Sequence, residues 1–442
     1  MEKVRTRFAP SPTGFMHLGG LRTALYSYLF AKQQGGDFIL RIEDTDQERY
    51  VEGAIDVIYS SLKESGLTYD EGPDIGGDYG PYVQSERKSI YMEYAKKLIE
   101  LGGAYYCFCS KERLESLTDE NGNRKYDKHC LHLSKEEVQA KLDAGEPFVI
   151  RQNIPTEGTS TYEDLVYGTI HVDYSELEDN ILIKSDGMPT YNFANVVDDH
   201  LMKISHVVRG TEYLSSTPKY NLMYDTFGWE RPKYIHLPTI MKDATRKLSK
   251  RYGDANFDDF VNKGYLPEAI INYVALLGWS PKENIEKMTM QQMIELFSLD
   301  GVSKSPSIFD DVKLRWLNGE YLKELSDEKF EELAEPFFKK SKVYGKYDLK
   351  KLSALMKTRV EILSEIPEKI DFLEEYGEYD PALFIHKKMK TNEETSLEVL
   401  PAIRNLIATT EPFNHDALHD AFMKLAVDLQ LKNGQVMWPA RV

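Results

Sequence analysis

Hydrophobic and polar positions change their spacing along the chain, and this spacing predicts where strands and helices lie. Up to about residue 105, short apolar runs at 4–9 and 38–42 alternate with amphipathic segments at 53–65 and 85–101. Apolar residues three or four positions apart mark one face of a helix, whereas short apolar runs bounded by glycine or proline are typical of buried strands. The alternation predicts an open α/β sheet with parallel strands.

The same alternation returns in residues 190–250, after a stretch of different texture. Strands are predicted at 204–209 and 234–241, with a helix at 217–226 between them. The intervening residues 106–188 are therefore interpreted as an insertion into one sheet-forming domain. The strands predicted within this insertion are 147–153, 165–174 and 180–184.

Beyond residue 256 the pattern becomes almost entirely helical. Apolar positions predict helices at 257–279 and 290–297, and the segments from 326 onward have neither strand alternation nor hairpin turns. The predicted fold class is an α/β N-terminal half followed by an all-α C-terminal region. The helices predicted in that region are 330–338, 349–363, 366–376, 397–407 and 415–429.

Composition narrows the class of protein but leaves binding to nucleic acid open. With 442 residues the chain exceeds one ordinary core, so about two to four domains are expected. The formal net charge of −17 opposes binding to nucleic acid, yet basic runs at 242–251 and 339–351 provide local patches, and local patches govern such binding. Three cysteines cannot form a disulfide framework, which fits a reducing cytoplasm, and neither a signal peptide nor a membrane span is predicted.

The first candidate site is a turn between a predicted strand and a predicted helix. Prolines and a glycine in 10–14 end the strand at 4–9, and His17, Gly19 and Gly20 open the helix that follows. Glycine lets the backbone approach a bound anion, and N–H groups at a helix N-terminus bind phosphate, so the turn is a candidate nucleotide site. An ordinary strand-to-helix turn with a surface histidine explains the same residues equally well.

All three cysteines lie within one segment of the predicted insertion, where C-x-C is followed by C-x-H. These are four soft or borderline ligands of the kind that tetrahedral Zn²⁺ selects, which favours a structural zinc site. The alternative is that the thiols are small buried hydrophobes and that the histidine is unrelated to them. The predicted ligands are Cys107, Cys109, Cys130 and His132.

A basic stretch far down the chain forms a pair of sequence signatures with the turn at His17. Residues 17–20 read H-L-G-G, and residues 247–251 read K-L-S-K-R after an apolar run. They stand where class I aminoacyl-tRNA synthetases carry H-I-G-H and K-M-S-K-S, and the chain resembles the bacterial glutamyl-tRNA synthetases of that class. The words A-P-S-P-T-G, R-I-E-D-T-D and S-D-G-M-P-T-Y are also similar to that family, at 9–14, 41–46 and 185–191.

The resemblance implies a two-step reaction that joins L-glutamate to tRNA. Glutamate is activated with ATP, accompanied by Mg²⁺, and the acyl group then passes to the terminal adenosine of tRNA-Glu. His17, Lys247 and Lys250 are the expected catalytic residues, because they can stabilise the negative charge that develops on phosphate. The expected ATP-binding residues are His17, Gly19, Gly20, Lys247, Leu248, Ser249 and Lys250.

The resemblance also implies a glutamate pocket between the two halves of the sheet. Arg209, which ends a predicted strand, is expected to face the side-chain carboxylate of glutamate through a charge-assisted, bidentate contact. On the residues alone, an ion pair of Arg209 with Glu212 or Asp198 is an equal alternative. Glu43 is expected to meet the α-amino group. The full set of expected glutamate-binding residues is Arg7, Ala9, Ser11, Glu43, Tyr191, Asn195 and Arg209.

By the same resemblance, a Rossmann-type catalytic domain carries an insertion for the acceptor end of tRNA. A connecting domain and an anticodon-binding region follow it. Arg359 falls where the family reads the anticodon, and the expected partners are tRNA-Glu, L-glutamate and ATP, without a membrane. The predicted bounds are 1–105 and 189–255 for the catalytic halves, 106–188 for the insertion, 256–325 for the connecting domain and 326–442 for the anticodon-binding region.

Three alternatives stay open at this point. An enzyme of this kind can charge tRNA-Gln as well as tRNA-Glu, which the sequence does not decide. A catalytically silent tRNA-binding paralogue is opposed by His17, Lys247 and Lys250, which such a protein does not need. A shortened paralogue that modifies a tRNA base lacks the helical region present here from 326 onward. The expected enzyme is cytoplasmic and monomeric.

The end of the chain carries one further expectation. Residues 431–442 resemble the lead-in to the final helices of the family, and the chain ends shortly after an apolar turn at Trp438 and Pro439. This predicts a shortened chain with apolar surface exposed around Trp438. We also expect an intact nucleotide fold, with weaker or less selective binding of tRNA than in a longer chain.

Overall fold

An α/β unit and a smaller helical unit make up the computed structural model. The first unit comprises Met1–Lys340 and Tyr344–Pro367, and the second comprises Ser341–Val343 and Glu368–Val442. The residues that the structure describes are 3–118, 125–248, 256–374 and 378–442.

The first unit contains the strands, which are separated by helices as the sequence pattern predicts. The strands are β1 Arg5–Phe8, β2 Asp37–Leu40, β3 Ala104–Cys107, β4 Val149–Gln152, β5 Thr159–Asp164, β6 Gly168–Asp173, β7 Ile181–Ile183, β8 His206–Gly210, β9 Lys233–Leu237, β10 Ile240–Met241 and β11 Ser307–Ile308. The helices are α1 Leu18–Gln33, α2 Ala54–Glu64, α3 Lys88–Glu100, α4 Lys111–Glu115, α5 Lys135–Asp143, α6 Tyr191–Leu201, α7 Thr217–Phe227, α8 Phe257–Lys263, α9 Pro267–Leu276, α10 Met290–Leu296, α11 Asp311–Glu324, α12 Asp327–Phe338, α13 Leu349–Lys357 and α14 Ile366–Ile370, which crosses the boundary of the unit.

Parallel strands from both ends of the first 240 residues form the part of the unit that carries the candidate site. Strand β1 pairs with β2, and β8 pairs with β9, both in parallel register. The backbone N–H of Ser205 donates to the carbonyl of Arg5 at 3.0 Å, so β1 also lies beside β8. The carboxyl ends of β1, β2 and β8 therefore meet at one edge, which confirms the predicted α/β arrangement.

The strands of the intervening segment divide between two sheets. Strands β3, β4 and β7 form an antiparallel sheet, as expected for separate insertion strands. The strand predicted at 165–174 begins only at Gly168, because it is the second strand of a hairpin whose first strand is β5. The prediction missed β5 because its buried positions are the side chains Ser160, Tyr162 and Asp164, two of which are polar. Strand β5 pairs with β9 in parallel at Asp164 and thus joins the sheet that contains β8 and β9.

Two long helices predicted from periodicity are shorter in the structure. The helix predicted at 257–279 divides into α8 and α9, because Gly264 adopts a left-handed backbone conformation with φ of 90° and Pro267 then starts a new helix. The helix predicted at 349–363 ends at Lys357, and the chain then turns so that Ile362 reaches the main core. Apolar spacing alone does not reveal such interruptions.

Helix α1 is held firmly against the sheet. Leu21, Ala24, Leu25 and Leu29 occur at helical spacing and are completely buried. The helix packs against β1, β2 and α9, and burial of each large aliphatic side chain contributes about 1.5–3 kcal/mol. This packing fixes the N-terminus of α1 at the edge where the parallel strands end.

In the described part of the second unit every regular element is helical, as the pattern predicts. Its α-helices are α15 Glu393–Thr409, α16 His415–Asp428 and α17 Asn433–Arg441. They surround a small core formed by Val399, Ile403, Ala426 and Val436. None of the helices in the described ranges of the chain is both long and apolar enough to span a bilayer.

The expected turn at Trp438 and Pro439 is part of helix α17. Pro439 is buried, and the indole N–H of Trp438 donates to the carbonyl of Leu383 at 2.8 Å. The prediction of a turn was wrong, because a proline in the last turn of a short helix loses only a bond near the helix end.

Candidate active site

A cavity of about 590 Å³ lies beyond the carboxyl ends of β1, β2 and β8. This is the edge at which open parallel sheets bind their ligands. The end of β1, the start of α1, the segment after β2 and the end of β8 each contribute to its wall. The predicted glutamate-binding residues that line it are Arg7, Ala9, Ser11, Glu43, Tyr191 and Arg209.

Asn195 differs from these residues because it does not line the described cavity. It is buried in α6, one helical turn after Tyr191, and its Nδ2 donates to the carbonyl of Tyr191. Asn195 thus supports the helix turn that carries Tyr191 into the cavity. Its contact with glutamate stays a prediction.

His17 forms the N-terminal cap of α1 at the floor of the cavity. Its Nδ1 accepts a hydrogen bond from the backbone N–H of Gly19 at 3.0 Å. A neutral ring whose Nδ1 accepts carries its proton on Nε2, so Nε2 is the donor of this imidazole. Gly20 lines the cavity, and a Cβ at Gly19 would approach His17 Nδ1 to 3.3 Å, so glycine keeps the cap unhindered.

The second signature is described only up to Leu248. Lys247 is exposed and forms a β-bridge with Met241, while the N–H of Leu248 donates to the carbonyl of Ile240 at 3.1 Å. Ser249 and Lys250, two predicted ATP-binding residues, lie outside the described residues. Lys247 does not line the described cavity.

The chain that follows the second signature returns to the first one. Asn256 forms a β-bridge with His17, and the N–H of Phe257 donates to the carbonyl of Met16 at 2.9 Å. Phe257 is completely buried and therefore anchors this contact. The described residues on either side of 249–255 are thus fixed at β10 and at the His17 turn.

Buried ion pairs form the base of the cavity. Arg7 binds Asp199 with both Nε and Nη2, at 3.0 and 3.3 Å. Arg41 donates to Asp199 and to Glu43, each at 2.8 Å. Burial alone would raise the pKa of Asp199, but the two guanidinium groups lower it below its ordinary value. For Glu43, burial prevails over Arg41 and Arg7 and raises the pKa.

A second pair adjoins this base and completes its charge balance. Arg87 donates to Asp198 at 2.7 Å, and Asp198 also accepts from the hydroxyl of Tyr91 at 2.8 Å. Arg7 pairs with Asp199, and Arg41 pairs with both Asp199 and Glu43. With Arg87 and Asp198, three buried guanidinium groups therefore face three buried carboxylates. The charges of these buried side chains therefore balance one another without a ligand.

Arg209 stands outside that balance. Its side chain is buried, Nε donates to His236 Nε2 at 3.1 Å, and Nη2 donates to the Thr217 hydroxyl at 2.6 Å. The guanidinium carbon lies 4.8 Å from the ring centre of Tyr220. Among the described residues no carboxylate pairs with Arg209, so the alternative of an ion pair with Glu212 or Asp198 is wrong. A buried, uncompensated cation in a cavity is built to receive an anion.

The cavity also contains polar residues that the sequence analysis did not predict as part of a binding site. Thr45, Asp46 and Arg49 follow β2, and Glu212 and Tyr213 follow β8. Their position directly after parallel strands is the signal that predicts them, because ligands bind beyond the carboxyl ends of such strands.

The three cysteines meet at the end of β3, away from this cavity. Their Sγ atoms all lie within 4.8 Å of one another, and Cys109 and Cys130 approach to 3.5 Å. His132 is exposed and is not part of this group. The structure thus brings together three of the four predicted ligands.

Tyr126 completes the cluster from a position that motif spacing does not indicate. Its hydroxyl lies 3.3 Å from Cys107 Sγ and 3.6 Å from Cys109 Sγ, and it accepts from the N–H of Cys130 at 3.3 Å. Arg151 donates to Cys107 Sγ at 3.4 Å. The three thiols and the Tyr126 hydroxyl thus lie close together, and cysteine thiolates are ligands that tetrahedral Zn²⁺ selects.

Arg359, the predicted anticodon residue, follows α13. It is exposed, and its Nη1 donates to the carbonyl of Leu355 at 2.9 Å. The bond to its own helix turn orients the side chain at the surface.

Comparisons with known proteins match both parts of the chain. The family described as "tRNA synthetases class I (E and Q), catalytic domain" matches residues 3–316, and the family "Anticodon binding domain" matches 329–442. The glutamate–tRNA ligase of Clostridium botulinum strain Eklund 17B is 60% identical over 449 residues, which cover 100% of this chain and 92% of the relative. That of Clostridium tetani is 59% identical over 443 residues, covering 99% and 91%.

A solved structure is similar over the same extent. The crystal structure of a glutamate tRNA ligase from Elizabethkingia meningosepticum in complex with its amino acid aligns with a TM-score of 0.85 at 38% identity. The alignment covers 100% of this chain and 93% of that chain.

Proposed function

The chain belongs to the class I tRNA synthetases for glutamate and glutamine, as a glutamate–tRNA ligase, and we propose that the cavity beyond β1, β2 and β8 binds L-glutamate and ATP. The observation that carries this proposal is the buried Arg209 guanidinium, which lines the cavity without a carboxylate partner among the described residues. Besides its α-carboxylate, glutamate has a carboxylate at the end of its side chain that can pair with Arg209. Glutamine has a neutral amide at that position.

In the first step an α-carboxylate oxygen of glutamate attacks the α-phosphorus of ATP. The bond from that phosphorus to the bridging oxygen breaks, and pyrophosphate leaves. The added negative charge is carried by phosphate oxygens, so positioning and electrostatic stabilisation matter more than proton transfer. Mg²⁺ accompanies the nucleotide in this class of enzyme. His17, Lys247 and Lys250 are proposed to stabilise this charge, with Gly19, Gly20, Leu248 and Ser249 contributing to the same nucleotide site.

In the second step a terminal ribose hydroxyl of tRNA attacks the activated carbonyl carbon, and AMP leaves. Glu43 is proposed to bind the α-amino group, because its carboxylate lines the cavity beside Arg41 and can accept hydrogen bonds from an ammonium group. Ala9, Ser11 and Tyr191 line the same wall and are proposed to enclose the substrate.

The cysteine cluster is proposed to hold a structural Zn²⁺. Cys107, Cys109, Cys130 and Tyr126 supply four donors, which leaves no open coordination position for catalysis. This assignment replaces His132, which is exposed, by Tyr126. When bound, the ion would cross-link β3 to the segment around residue 130.

The surfaces for tRNA follow from the family. The insertion 106–188 is proposed to bind the acceptor end, and the region 326–442 is proposed to bind the anticodon, with Arg359 among the residues that read it. An exposed guanidinium held by its own helix turn can donate to a base or to phosphate. We propose that the enzyme is a cytoplasmic monomer.

The deciding experiment is ATP–pyrophosphate exchange with and without tRNA, followed by aminoacylation of purified tRNA-Glu and tRNA-Gln. Exchange should require glutamate and tRNA, because members of this family activate the amino acid only when tRNA is bound. Exchange driven equally by glutamine contradicts the proposal. Charging of tRNA-Gln with glutamate identifies the non-discriminating variant of the same function.

A further inference from the structure

A row of hydrogen-bonded, buried side chains connects Arg209 to strand β5. Arg209 in β8 and His236 in β9 are partners in the parallel register, and Arg209 Nε donates to His236 Nε2 at 3.1 Å. On the other side of the ring, His236 Nδ1 lies 2.6 Å from Oδ2 of Asp164, the last residue of β5. The side chains of His236 and Asp164 are both completely buried.

Hydrogen-bond chemistry permits one proton arrangement in this row. A guanidinium group only donates, so Nε2 of His236 must be unprotonated, and an ionised carboxylate only accepts, so Nδ1 must carry the proton. The imidazole is therefore neutral. Burial lowers the pKa of His236, with Asp164 opposing and Arg209 reinforcing the shift, which agrees with a neutral ring.

Asp164 is itself fixed in place by the backbone. Its Oδ1 accepts from the N–H groups of Val166 and Tyr167, at 2.9 and 2.8 Å, and its Oδ2 accepts from the N–H of His236 at 3.1 Å. A carboxylate held by three backbone groups cannot rotate away from the imidazole. The geometry of the row thus depends on the hairpin turn after β5 and on β9.

Because Asp164 contacts Arg209 only through His236, Arg209 keeps the charge and the donors that a direct ion pair would occupy. A carboxylate placed on Arg209 would neutralise its charge and occupy two donors of the guanidinium fork. Instead, neutral His236 and the Thr217 hydroxyl take two of its five N–H groups, and no other described residue accepts from it. The row fixes the plane of the guanidinium group and leaves its charge and three donors for a ligand.

We propose that Asp164 and His236 are positioning residues for glutamate recognition, which orient Arg209 toward the substrate carboxylate without touching the substrate. This inference rests on the role in glutamate binding proposed above for Arg209. It makes the choice between glutamate and glutamine depend on strand β5, whose sequence lies in the middle of the predicted insertion.

The test compares Arg209→Ala with four further variants of the full chain. His236→Leu removes both ring nitrogens. Asp164→Asn favours the opposite tautomer, because an amide can donate to Nδ1 and so leave a proton on Nε2 that faces Arg209. His236→Gln keeps one donor and one acceptor. The matched control is His206→Leu, which alters a buried histidine of β8 that bonds Ser205 instead of Arg209.

The readouts are KM for glutamate, KM for ATP, kcat and the ratio of glutamate to glutamine use. We expect KM for glutamate to rise at least about tenfold in His236→Leu and Asp164→Asn, which corresponds to one charge-assisted hydrogen bond. KM for ATP should stay near that of the unaltered protein. His236→Gln should keep most of the affinity for glutamate, and His206→Leu should keep all of it.

The outcomes separate this inference from the proposed function. If Arg209→Ala weakens glutamate use while His236→Leu and Asp164→Asn do not, the positioning role is overturned and the proposed function stands. If Arg209→Ala also has no effect, the role of Arg209 fails, and the positioning role fails with it. A parallel rise in KM for ATP, or an equal loss in His206→Leu, identifies a general structural effect and overturns the positioning role.

A measurement on the unaltered protein tests the same proton arrangement without depending on the folding of the variants. Histidine labelled with ¹⁵N reports which ring nitrogen carries the proton. The signal of His236, assigned by its absence from His236→Gln, should show a protonated Nδ1 and an unprotonated Nε2 at neutral pH. A protonated Nε2 contradicts the inferred row.

Discussion

Replacing Arg209 by alanine removes the buried arginine of the cavity wall that lacks a carboxylate partner among the described residues. The base of the cavity should survive, because Arg7 and Arg41 keep their pairs with Asp199 and Glu43. We therefore expect a selective loss of glutamate binding. The proposed nucleotide site at His17 uses other residues of the cavity and should keep its affinity for ATP.

The size of the loss follows from the donors that the guanidinium group retains. One hydrogen bond to a charged partner contributes about 1.5–3 kcal/mol, which is roughly 10–150-fold in kcat/KM for glutamate. A bidentate contact through two of the three remaining donors would increase the loss further. Arg209→Lys keeps the charge but has no fork and no Nε donor for His236, so its loss should be intermediate.

The assay is ATP–pyrophosphate exchange in the presence of tRNA, with glutamate and glutamine titrated separately. Arg231→Ala is the matched control, because this arginine pairs with Asp225 at the surface and does not line the cavity. A ratio of glutamate to glutamine use that is the same in Arg209→Ala and in the unaltered protein would refute the assignment. Thermal unfolding of each variant separates a weakened fold from a weakened site, since Arg209→Ala removes buried hydrogen bonds to His236 and Thr217.

Three further predictions test other parts of the structure. Metal analysis after chelator washing should find zinc in the unaltered protein and in His132→Ala but not in Cys130→Ser. Zinc retained in Cys130→Ser, or lost in His132→Ala, contradicts the proposed set of three cysteines and Tyr126. Gly264→Ala should lower the free energy of unfolding in urea by roughly 2–4 kcal/mol, because φ is 90° and a Cβ would lie 2.5 Å from that of Leu363. Gly145→Ala, with φ of 70° and no atom within 4 Å, should cost about 1–2 kcal/mol, and an equal cost at both glycines refutes the steric argument. Burial and nearby Lys233 lower the pKa of His206 to about 4, so the unfolded chain binds the proton more readily and stability should fall as pH decreases from about 6.5 toward 4. His206→Asn should reduce this dependence on pH, and identical slopes of stability against pH in both proteins refute it.

The parts of the site that the sequence predicted are formed by residues that are close to one another in the chain. The turn from β1 through His17 into α1 is continuous in sequence, so its glycines and the start of the helix could be predicted, whereas the role of His17 as helix cap appeared only in the structure. Arg209 is similar, because its place at the end of an apolar strand indicates the edge of the sheet. The succession of an α/β part and an all-helical part was also predicted, since long amphipathic segments leave a strong periodic signal.

The remaining parts depend on contacts between distant residues. Asp164 lies in a polar strand that resembles a loop, and its link to His236 appears only when β5 pairs with β9. Tyr126 belongs to no ligand motif, yet the fold brings its hydroxyl to two cysteines. Asn195 was expected in the cavity but bonds to the carbonyl of Tyr191, which only the course of α6 determines. A linear pattern does not contain such distances.

The buried ion pairs at the base of the cavity have a consequence for synthesis on the ribosome. Arg7, Arg41 and Arg87 are all made well before Asp198 and Asp199, the carboxylates with which they pair. At a translation rate of about 5–20 residues per second, several seconds pass between Arg87 and its partner. During that interval a nascent N-terminal half would have to bury guanidinium groups that Glu43 alone cannot balance, and β1 would lack its neighbour β8. We therefore expect this half to fold only after the polypeptide has passed residue 199, and a fragment that ends before α6 should remain unfolded.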